Sequence, residues 1–342
     1  MKKSHLEQLD VFRAIAALSV CSVHFSYNSF FQVYFKQALF VQFFFTLSGF
    51  VIYLNYHDQF FDIAKIKKFM IKRFFRLYPL HLFFLLIFGA IEWIKYFLSI
   101  NYGIEVNNKH FELNNISNFF LHLFFLQHYA DKYAFNGPAW SISVEMFLYF
   151  TFSIMFFFNK KYFLMMPIIF IILFSLFLKN NYAVSSSHNA VYSGLYSFSL
   201  GCIFCSIYLK NKIFFNSKLF NKFYFILLVL FFVELFKYKI LFKLNYSFIY
   251  SVIFGLMIYL SCFLNKNFFL YKLFFNKMFI FLGKISYSIY LGHVLVFFLL
   301  NNFLKYIIKY PTDVTSDGRV FIKLSIFESN LFTLFAYLLT IF

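Results

Sequence analysis

Residues 9–24, which read LDVFRAIAALSVCSVH, place an acid, an arginine and a histidine within the first hydrophobic segment of the chain. On an α-helix, the eleven residues from Arg13 to His24 return to within about 20° of the same direction and rise about 17 Å. Asp10 lies one turn before Arg13 on that face and can pair with it. Each such side chain costs about 2.5–3.5 kcal/mol near the middle of a membrane helix. We therefore interpret this stripe as a functional site.

The composition is typical of a membrane protein. Of the 342 residues, 62% are hydrophobic and 13% are charged, and the mean hydropathy is +0.73. Soluble domains carry about 25% charged residues. We predict an all-α, polytopic membrane protein of one domain over residues 1–342, with ten to eleven transmembrane helices. Segment 116–129 is short for a crossing and is followed by NGPAW at residues 136–140, so a re-entrant segment is the alternative to a span here. The candidate spans are 9–27, 38–56, 78–100, 116–129, 142–158, 162–179, 191–209, 223–240, 245–264, 279–300 and 326–342.

Basic residues set the expected orientation and partners. The net charge is +18, but the lysines are spread over many short loops, which argues against nucleic acid and favours membrane lipid and an anionic cofactor. The positive-inside rule places the loop between the second and third spans, and the N-terminus, in the cytoplasm. Residues 61–76 of that loop read as an amphipathic interfacial helix. Its basic residues are Lys65, Lys67, Lys68, Lys72, Arg73 and Arg76.

Arginine is rare in this chain, because only four of the 31 basic residues are arginines, namely Arg13, Arg73, Arg76 and Arg319. Where arginine persists, a planar fork of donors is favoured over the point charge of lysine. Arg73 and Arg76 lie one helical turn apart, and two such forks suit a phosphate group. We therefore predict a phosphate site there, with ordinary anchoring at the membrane surface as the alternative.

The segment NGPAWSISVEMFLY, residues 136–149, holds one of the two tryptophans, Trp140, and an acid within an apolar run. On a helix, Ser141, Glu145 and Tyr149 share one face. A buried glutamate needs a partner or a proton. Glu145 is therefore expected to pair with an arginine or to orient a histidine, unless its carboxylate reaches solvent.

The late segment GKISYSIYLGH places Ser286, Tyr290 and His293 on one helix face. We expect these side chains to line a cavity, with a structural role for the histidine as the alternative. The CxxC spacing of Cys202 and Cys205 lacks a second pair, so we interpret both as buried small residues. No HExxH or other tight ligand pattern occurs in the sequence, and we predict no metal site.

Taken in order, these motifs resemble the acyltransferase-3 family of bacterial membrane acyltransferases. Members open with a similar first span, in which a histidine follows the arginine by eleven residues. An LSGF segment, an Arg-x-x-Arg pair, a W-S-x-x-x-E segment and a late I-S-Y-S-x-Y-L-x-H segment follow. Gln42 stands where members often have an acid before the LSGF segment. The matching positions are Leu9 to Arg13 with His24, Leu47–Phe50, Arg73–Pro79, Trp140–Glu145 and Ile285–His293.

The resemblance implies a membrane O-acyltransferase of the bacterial inner membrane. It implies transfer of an acyl group, commonly acetyl, from cytoplasmic acyl-CoA to a hydroxyl of a cell-surface or secreted glycan, which can be lipid-linked. The catalytic candidates are Asp10, His24 and Glu145, and the donor-binding candidates are Arg13, Arg73 and Arg76. The candidates for the substrate cavity are Trp140, Ser141, Tyr149, Ser286, Tyr290 and His293.

His24 carries the mechanism that the resemblance implies. It is the expected general base, because imidazole accepts a hydroxyl proton near neutral pH. An acyl group carried covalently on His24 is the competing mechanism. Glu145 would orient His24, and Arg13 would either join the phosphate site or brace Asp10.

Two hypotheses come from other functional classes. A transporter or exporter of an anionic lipid or sugar also needs buried charge and a cavity, but it should tolerate His24→Gln. A non-catalytic membrane scaffold predicts that Arg13, His24 and Arg73 are replaceable. Acyl transfer differs from both because it requires acyl-CoA and a titratable His24.

Overall fold

The computed structural model describes residues 6–24, 39–59, 62–103, 110–129, 134–158, 168, 187–210, 218–236, 247–314 and 320–341. The predicted span 162–179 lies outside these ranges except for residue 168, and Arg319 lies outside them as well. Over the described ranges the chain is mainly helical. This agrees with the all-α fold class that the sequence predicts.

The helices follow one another along the chain with short irregular connections. A 3₁₀ turn covers Gln127–Tyr129, a second covers Gly137–Ala139, and a π-helix covers Phe303–Ile307. The α-helices are α1 (Glu7–His24), α2 (Leu39–Tyr56), α3 (Ile63–Tyr102), α4 (Ile116–Leu123), α5 (Trp140–Phe158), α6 (Ser187–Lys210), α7 (Lys218–Phe236), α8 (Ser247–Ser261), α9 (Phe269–Phe274), α10 (Lys277–Lys284), α11 (Ser286–Asn302) and α12 (Ile326–Ile341).

Several helices have the length and composition of membrane spans. Among the described residues, Leu39–Tyr56, Ile63–Tyr102, Ala190–Lys210 and Ser286–Ile307 are long and apolar enough to cross a bilayer. Shorter apolar helices cover Leu219–Leu230, Ile249–Ser261 and Ile326–Ile341. The chain is therefore a helical membrane protein.

A small hairpin accompanies the helices of this all-α protein. Strand β1 (Thr312–Val314) pairs antiparallel with β2 (Val320–Ile322). Each strand has three residues, so the hairpin is a local feature between α11 and α12 and leaves the helical architecture unchanged.

Helix α3 joins two elements that the sequence separates. The expected interfacial helix at 61–76 and the span at 78–100 form one helix of 40 residues, with Pro79 inside it. A proline removes one backbone hydrogen bond, and the long helix continues through it. At 1.5 Å per residue, α3 is about 60 Å long, roughly twice the hydrocarbon thickness of a bilayer. This length is enough for the second half of α3 to cross an apolar layer while its basic first turns lie outside it.

Two other predicted spans are shorter or divided. Helix α4 has eight residues, about 12 Å, which is too short to cross a bilayer. It begins where it does because the Asn115 side chain accepts the N–H of Asn118 as an N-cap. The predicted span 279–300 is divided at Ile285 into α10 and α11, and Asn276 caps α10 in the same way.

The described residues group into two compact units. The first comprises Met1–Ser19, Tyr34–Arg73 and Phe147–Ser286, and the second comprises Val20–Val33, Phe74–Met146 and Tyr287–Phe342. Arg73 and Tyr149 lie in the first unit, and His24 and His293 lie in the second. One membrane domain over the whole chain stays a prediction.

Among the described residues of the first unit, helices α2 and α6 form the most extensive contact. A Cβ added to Gly49 would overlap the Phe198 carbonyl, and one added to Gly201 would overlap the Thr46 carbonyl. The two glycines thus let the backbones meet directly, as small residues do in membrane helix pairs. Cys202 donates from Sγ to the Gly49 carbonyl oxygen at 3.5 Å. Cys202 and Cys205 are buried free thiols, as the sequence predicted.

A buried carboxylate on α3 organises the second unit. Glu92 accepts hydrogen bonds from the Lys95 ammonium at 3.0 Å, the Phe111 N–H at 2.8 Å and the Asn114 amide at 2.8 Å. The Tyr287 hydroxyl also donates to the Leu77 carbonyl oxygen at 2.7 Å, which joins α11 to α3. These bonds satisfy polar groups that would otherwise be unfavourable in an apolar environment.

Candidate active site

Two histidines meet in the second unit. His24 is the last residue of α1, and His293 lies in the middle of α11. His293 Nε2 lies 3.1 Å from His24 Nδ1, and the ring centroids are 4.9 Å apart. His293 is fully buried, whereas His24 is exposed. A solvent-accessible imidazole is thus hydrogen-bonded to one that is enclosed by protein.

The neighbouring carbonyl groups fix how the protons are shared. His293 Nδ1 lies 3.3 Å from the Ile289 carbonyl oxygen, and His24 Nδ1 lies 3.2 Å from the Val20 carbonyl oxygen. A carbonyl oxygen only accepts, so each Nδ1 carries the hydrogen in the neutral pair. His293 Nε2 then accepts from His24 Nδ1–H. This assignment leaves His24 Nε2 as the basic nitrogen of the pair.

The pair has the arrangement of a general base with its orienting partner. If His24 Nε2 takes a proton, the resulting imidazolium still donates from Nδ1 to His293 and to the Val20 carbonyl oxygen. Enzymes that activate a hydroxyl commonly use a general base that is oriented by a second group in this way. The sequence placed His24 and His293 in separate motifs, 269 residues apart, and did not predict their contact.

Helix α1 also contacts α11 one turn before His24. Cys21 is fully buried, and its Sγ donates to the Ile289 carbonyl oxygen at 3.8 Å. The same carbonyl oxygen orients His293. The Cys21 contact therefore holds the two histidine-bearing helices together beside the pair.

The turn before α5 contacts α11 on another side. The Ser141 and Tyr290 hydroxyls lie 2.7 Å apart, and each also bonds the Pro138 carbonyl oxygen, at 3.2 and 2.9 Å. Both side chains are buried, as is Ser286 at the start of α11. Trp140 and Glu145 are partly buried on α5. The structure thus brings together two predicted cavity residues, Ser141 and Tyr290, as direct hydrogen-bond partners.

A basic cavity of about 550 Å³ lies in the first unit, between the end of α2 and the start of α3. Its four cationic side chains are exposed lysines and the half-buried Arg73. Its lining residues are Asn55, Tyr56, Gln59, Lys65, Lys68, Phe69, Lys72 and Arg73. Arg76, which the spacing placed beside Arg73, is exposed one turn further along α3 and is not among these lining residues.

Aromatic rings hold the Arg73 guanidinium in place. Its carbon lies 5.2, 5.4 and 5.6 Å from the ring centroids of Phe69, Tyr149 and Tyr56. Its Nη2 donates to the Tyr56 hydroxyl at 3.4 Å, and its buried Nε has no hydrogen-bond partner in the part of the chain that the structure describes. Stacking of this kind is specific to arginine's planar cation. An oriented guanidinium with an unused donor is suited to an anion.

Tyr149 is one of the three aromatic residues around the Arg73 guanidinium, and it lies in the first unit. It is fully buried, and its hydroxyl accepts from the Ser48 hydroxyl at 3.2 Å. The sequence grouped Tyr149 with Ser141 because both lie on one face of α5. The structure instead gives Tyr149 the LSGF serine and Arg73 as neighbours, a contact that helical spacing alone does not reveal.

An acid begins the basic helix. Asp62 accepts the Lys65 backbone N–H at 2.7 Å, and its carboxylate lies 3.4 Å from the Lys65 ammonium. The hydrogen bond from that N–H, assisted by the nearby ammonium, holds the pKa of Asp62 below its usual value. Asp62 therefore stays ionised and caps α3, since a negative charge favours a helix N-terminus.

The Asp10–Arg13 ion pair predicted from helical spacing is present. Arg13 Nη1 lies 2.6 Å from Asp10 Oδ1, and Asp10 is almost completely buried. A Cβ on Gly283 would overlap the Asp10 carbonyl, so α10 packs against the backbone of α1 at this point. The pairing compensates the charge of Arg13 within α1, which favours the bracing role over phosphate binding.

Comparison with protein-family models identifies the chain. A model of the acyltransferase-3 family, described as an acyltransferase domain, matches residues 6–342. Searches of curated proteins and of solved structures find no match. Because the family match covers nearly the whole chain, this protein belongs to the acyltransferase-3 family.

Proposed function

We propose that the protein is a membrane O-acyltransferase that moves an acyl group, acetyl in the first instance, from acyl-CoA to a hydroxyl of a cell-surface or secreted glycan. Membership of an acyltransferase family gives the reaction class. The observation that carries the proposal is the His24–His293 hydrogen bond, because it gives a solvent-exposed imidazole a buried partner that orients it.

In the proposed reaction, His24 Nε2 takes the proton of the acceptor hydroxyl as its oxygen attacks the thioester carbonyl. A carbon–oxygen bond forms, and the carbon–sulfur bond then breaks. The CoA sulfur leaves with the proton held on His24, so the pair returns to its neutral state. General base catalysis of this kind is worth about 10²- to 10⁴-fold in rate.

The basic cavity is the proposed site for the phosphates of CoA. Four cations line it, and three aromatic rings hold the Arg73 guanidinium in place. Phosphate oxygens are strong acceptors for arginine and lysine. Arg76 adds an exposed cation on the same helix. We assign Arg13 to bracing Asp10, since their ion pair is short and largely enclosed.

We also propose the membrane placement implied by the family resemblance. The protein would lie in the bacterial inner membrane as one domain over residues 1–342, crossing it ten times with a cytoplasmic N-terminus, since α4 is too short for an eleventh crossing. The support is the lysine-rich start of α3, which the positive-inside rule assigns to the cytoplasm, where acyl-CoA is found.

The test is transfer of isotope-labelled acetyl from acetyl-CoA in membranes that contain the full chain. We expect label in a glycan or lipid-linked glycan fraction with wild type and a loss of about 10³-fold with His24→Ala. His57→Ala is the matched control, because His57 Nδ1 makes the same bond to the carbonyl oxygen four residues earlier, at 3.2 Å.

Each result separates the proposal from its alternatives. Equal labelling by wild type and His24→Ala would remove His24 as the base. An absence of label in every membrane, with intact protein and a glycan acceptor supplied, would contradict acyl transfer from acetyl-CoA. A labelled protein that releases acetyl only when acceptor is added would favour the covalent histidine intermediate over direct transfer.

A further inference from the structure

We infer that Asn136 is a positioning residue that holds α11 so that His293 reaches His24. The inference rests on the proposed function, in which His293 orients the base. Asn136 lies at the 3₁₀ turn before α5 and is 2% exposed. Its Nδ2 donates to the Leu291 carbonyl oxygen at 2.9 Å. That carbonyl lies two residues before His293 on α11.

A second bond ties the same turn to the same part of α11. The Tyr290 hydroxyl donates to the Pro138 carbonyl oxygen at 2.9 Å. The Ser141 hydroxyl lies 2.7 Å from the Tyr290 hydroxyl. The turn is therefore hydrogen-bonded to two neighbouring residues of α11, Tyr290 and Leu291. This contact assigns Ser141 and Tyr290 a role in holding the helix.

The hydrogen bonds from this turn and the contact with α1 reach α11 from different sides. Residues four apart lie on one helix face, and neighbours differ by about 100°. Ile289 and His293 share the face that meets α1, through Cys21 and His24. Tyr290 and Leu291 are bonded from other directions. With both contacts in place, α11 is held against rotation about its own axis.

The turn is itself anchored away from α11. The Phe135 N–H donates to the Asn114 side-chain oxygen, and the Asn114 amide donates to the buried carboxylate of Glu92 at 2.8 Å. On the other side, the Gln127 amide donates to the Ala139 carbonyl oxygen at 2.9 Å. These hydrogen bonds fix the position of the turn relative to α3 and to the segment after α4. The bonds from the turn to α11 then fix α11 relative to the same elements.

The Asn136 side chain is poorly explained by stability alone. Its Oδ1 is buried and has no hydrogen-bond partner among the residues described. An unpaired buried carbonyl oxygen is unfavourable, so leucine, which has a similar size and no polar atoms, would fit the interior without that penalty. We interpret the asparagine as serving the bond to Leu291.

The test compares Asn136→Leu with Asn302→Leu in the full-length protein, with labelled acetyl-CoA and a glycan acceptor. Asn302 is the matched control, because its Nδ2 also donates to a carbonyl oxygen of α11, Phe298, but within the helix. For Asn136→Leu we expect an unchanged or higher melting temperature, a kcat about tenfold lower and an unchanged KM for acetyl-CoA, since small misplacements of catalytic groups reduce rate strongly. Asn302→Leu should leave kcat within about twofold.

A double-mutant cycle separates positioning from a general structural role. In a His293→Ala background, Asn136→Leu should have little further effect on kcat, because the group that it positions is gone. Fully additive losses would overturn the inference, as would an unchanged kcat in Asn136→Leu or a lower melting temperature that accounts for the loss.

A measurement without substrate keeps this inference distinct from the reaction. Nitrogen-15 NMR of histidine-labelled protein reports which ring nitrogens carry hydrogen. We expect Asn136→Leu to change the His293 Nε2 resonance in the same sense as His24→Ala does. An unchanged resonance would contradict the inference even if acyl transfer occurs, whereas a changed resonance in a protein without acyl transfer would count against the proposed function alone.

Discussion

The basic cavity and the histidine pair achieve binding and chemistry by different physical means. The cavity gathers four cations, three of them on exposed lysine side chains that share the work of attracting an anion. The pair depends on one hydrogen bond of 3.1 Å between a buried and an exposed ring. Electrostatic attraction falls gradually as charges are removed, whereas proton transfer requires one atom in one place. Each substitution of a cavity cation should therefore weaken donor binding by a small amount. A single substitution in the histidine pair should remove most of the activity.

The largest effects are expected at the histidine pair. His24→Ala removes the base and should lower kcat about 10³-fold, while His293→Ala removes only its partner and should lower kcat about 10- to 100-fold. The KM for acetyl-CoA should stay within about twofold in both variants. Initial rates over a range of acetyl-CoA concentrations give both constants. A rise in KM without a fall in kcat would place these histidines in donor binding.

A smaller loss is expected from Arg73→Lys. Lysine keeps the charge but loses the planar face that lies over Phe69, Tyr149 and Tyr56, and it loses the fork of donors. The KM for acetyl-CoA should rise about tenfold with kcat nearly unchanged, because cation–π contacts contribute about 1–2 kcal/mol. Titration of membranes with acetyl-CoA checks this. A Lys variant with wild-type KM would show that charge alone matters at this position.

The exposed lysines should have weaker and salt-dependent effects. Lys68→Gln and Lys72→Gln are each expected to raise the KM for acetyl-CoA by about two- to fivefold in dilute buffer, since exposed charges contribute little singly. At about 0.5 M salt the difference from wild type should nearly vanish, because screening removes it. Lys210→Gln, at the exposed end of α6, is the control and should behave as wild type.

The smallest effect is expected from Tyr149→Phe. Phenylalanine keeps the ring face beside Arg73 and loses only the hydroxyl that accepts from Ser48 at 3.2 Å. The KM for acetyl-CoA should change by about twofold or less, in contrast to Tyr149→Ala, which removes the ring. A large rise in KM for the phenylalanine variant would show that the hydroxyl, and not the ring, serves the site.

Local geometry accounts for what the sequence could predict. The Asp10–Arg13 pair follows from a spacing of three residues, and the buried Cys202 and Cys205 follow from their apolar surroundings. Helices α1 and α2 follow from the hydrophobic runs at 9–27 and 38–56. Each of these features depends on residues within a few turns of one another, so helical periodicity is enough to infer it.

Contacts between distant segments account for what the sequence could not predict. His24 meets His293 across 269 residues, and Tyr149 faces Arg73 although it shares a helix face with Ser141. Helical spacing placed Arg76 beside Arg73, but it cannot say which of two neighbours turns toward the end of α2. These pairings depend on how helices pack, which the residue pattern of a single sequence does not specify.

The double-mutant cycle of His24 and His293 tests the central claim most directly. Acetyl transfer would be measured for His24→Ala, His293→Ala and the double variant, with protein levels matched. If the two rings form one proton-accepting unit, the double variant should have the rate of His24→Ala, because His293 acts only through His24. A double variant slower than His24→Ala by the full factor of His293→Ala would contradict the claim and give the two histidines independent roles.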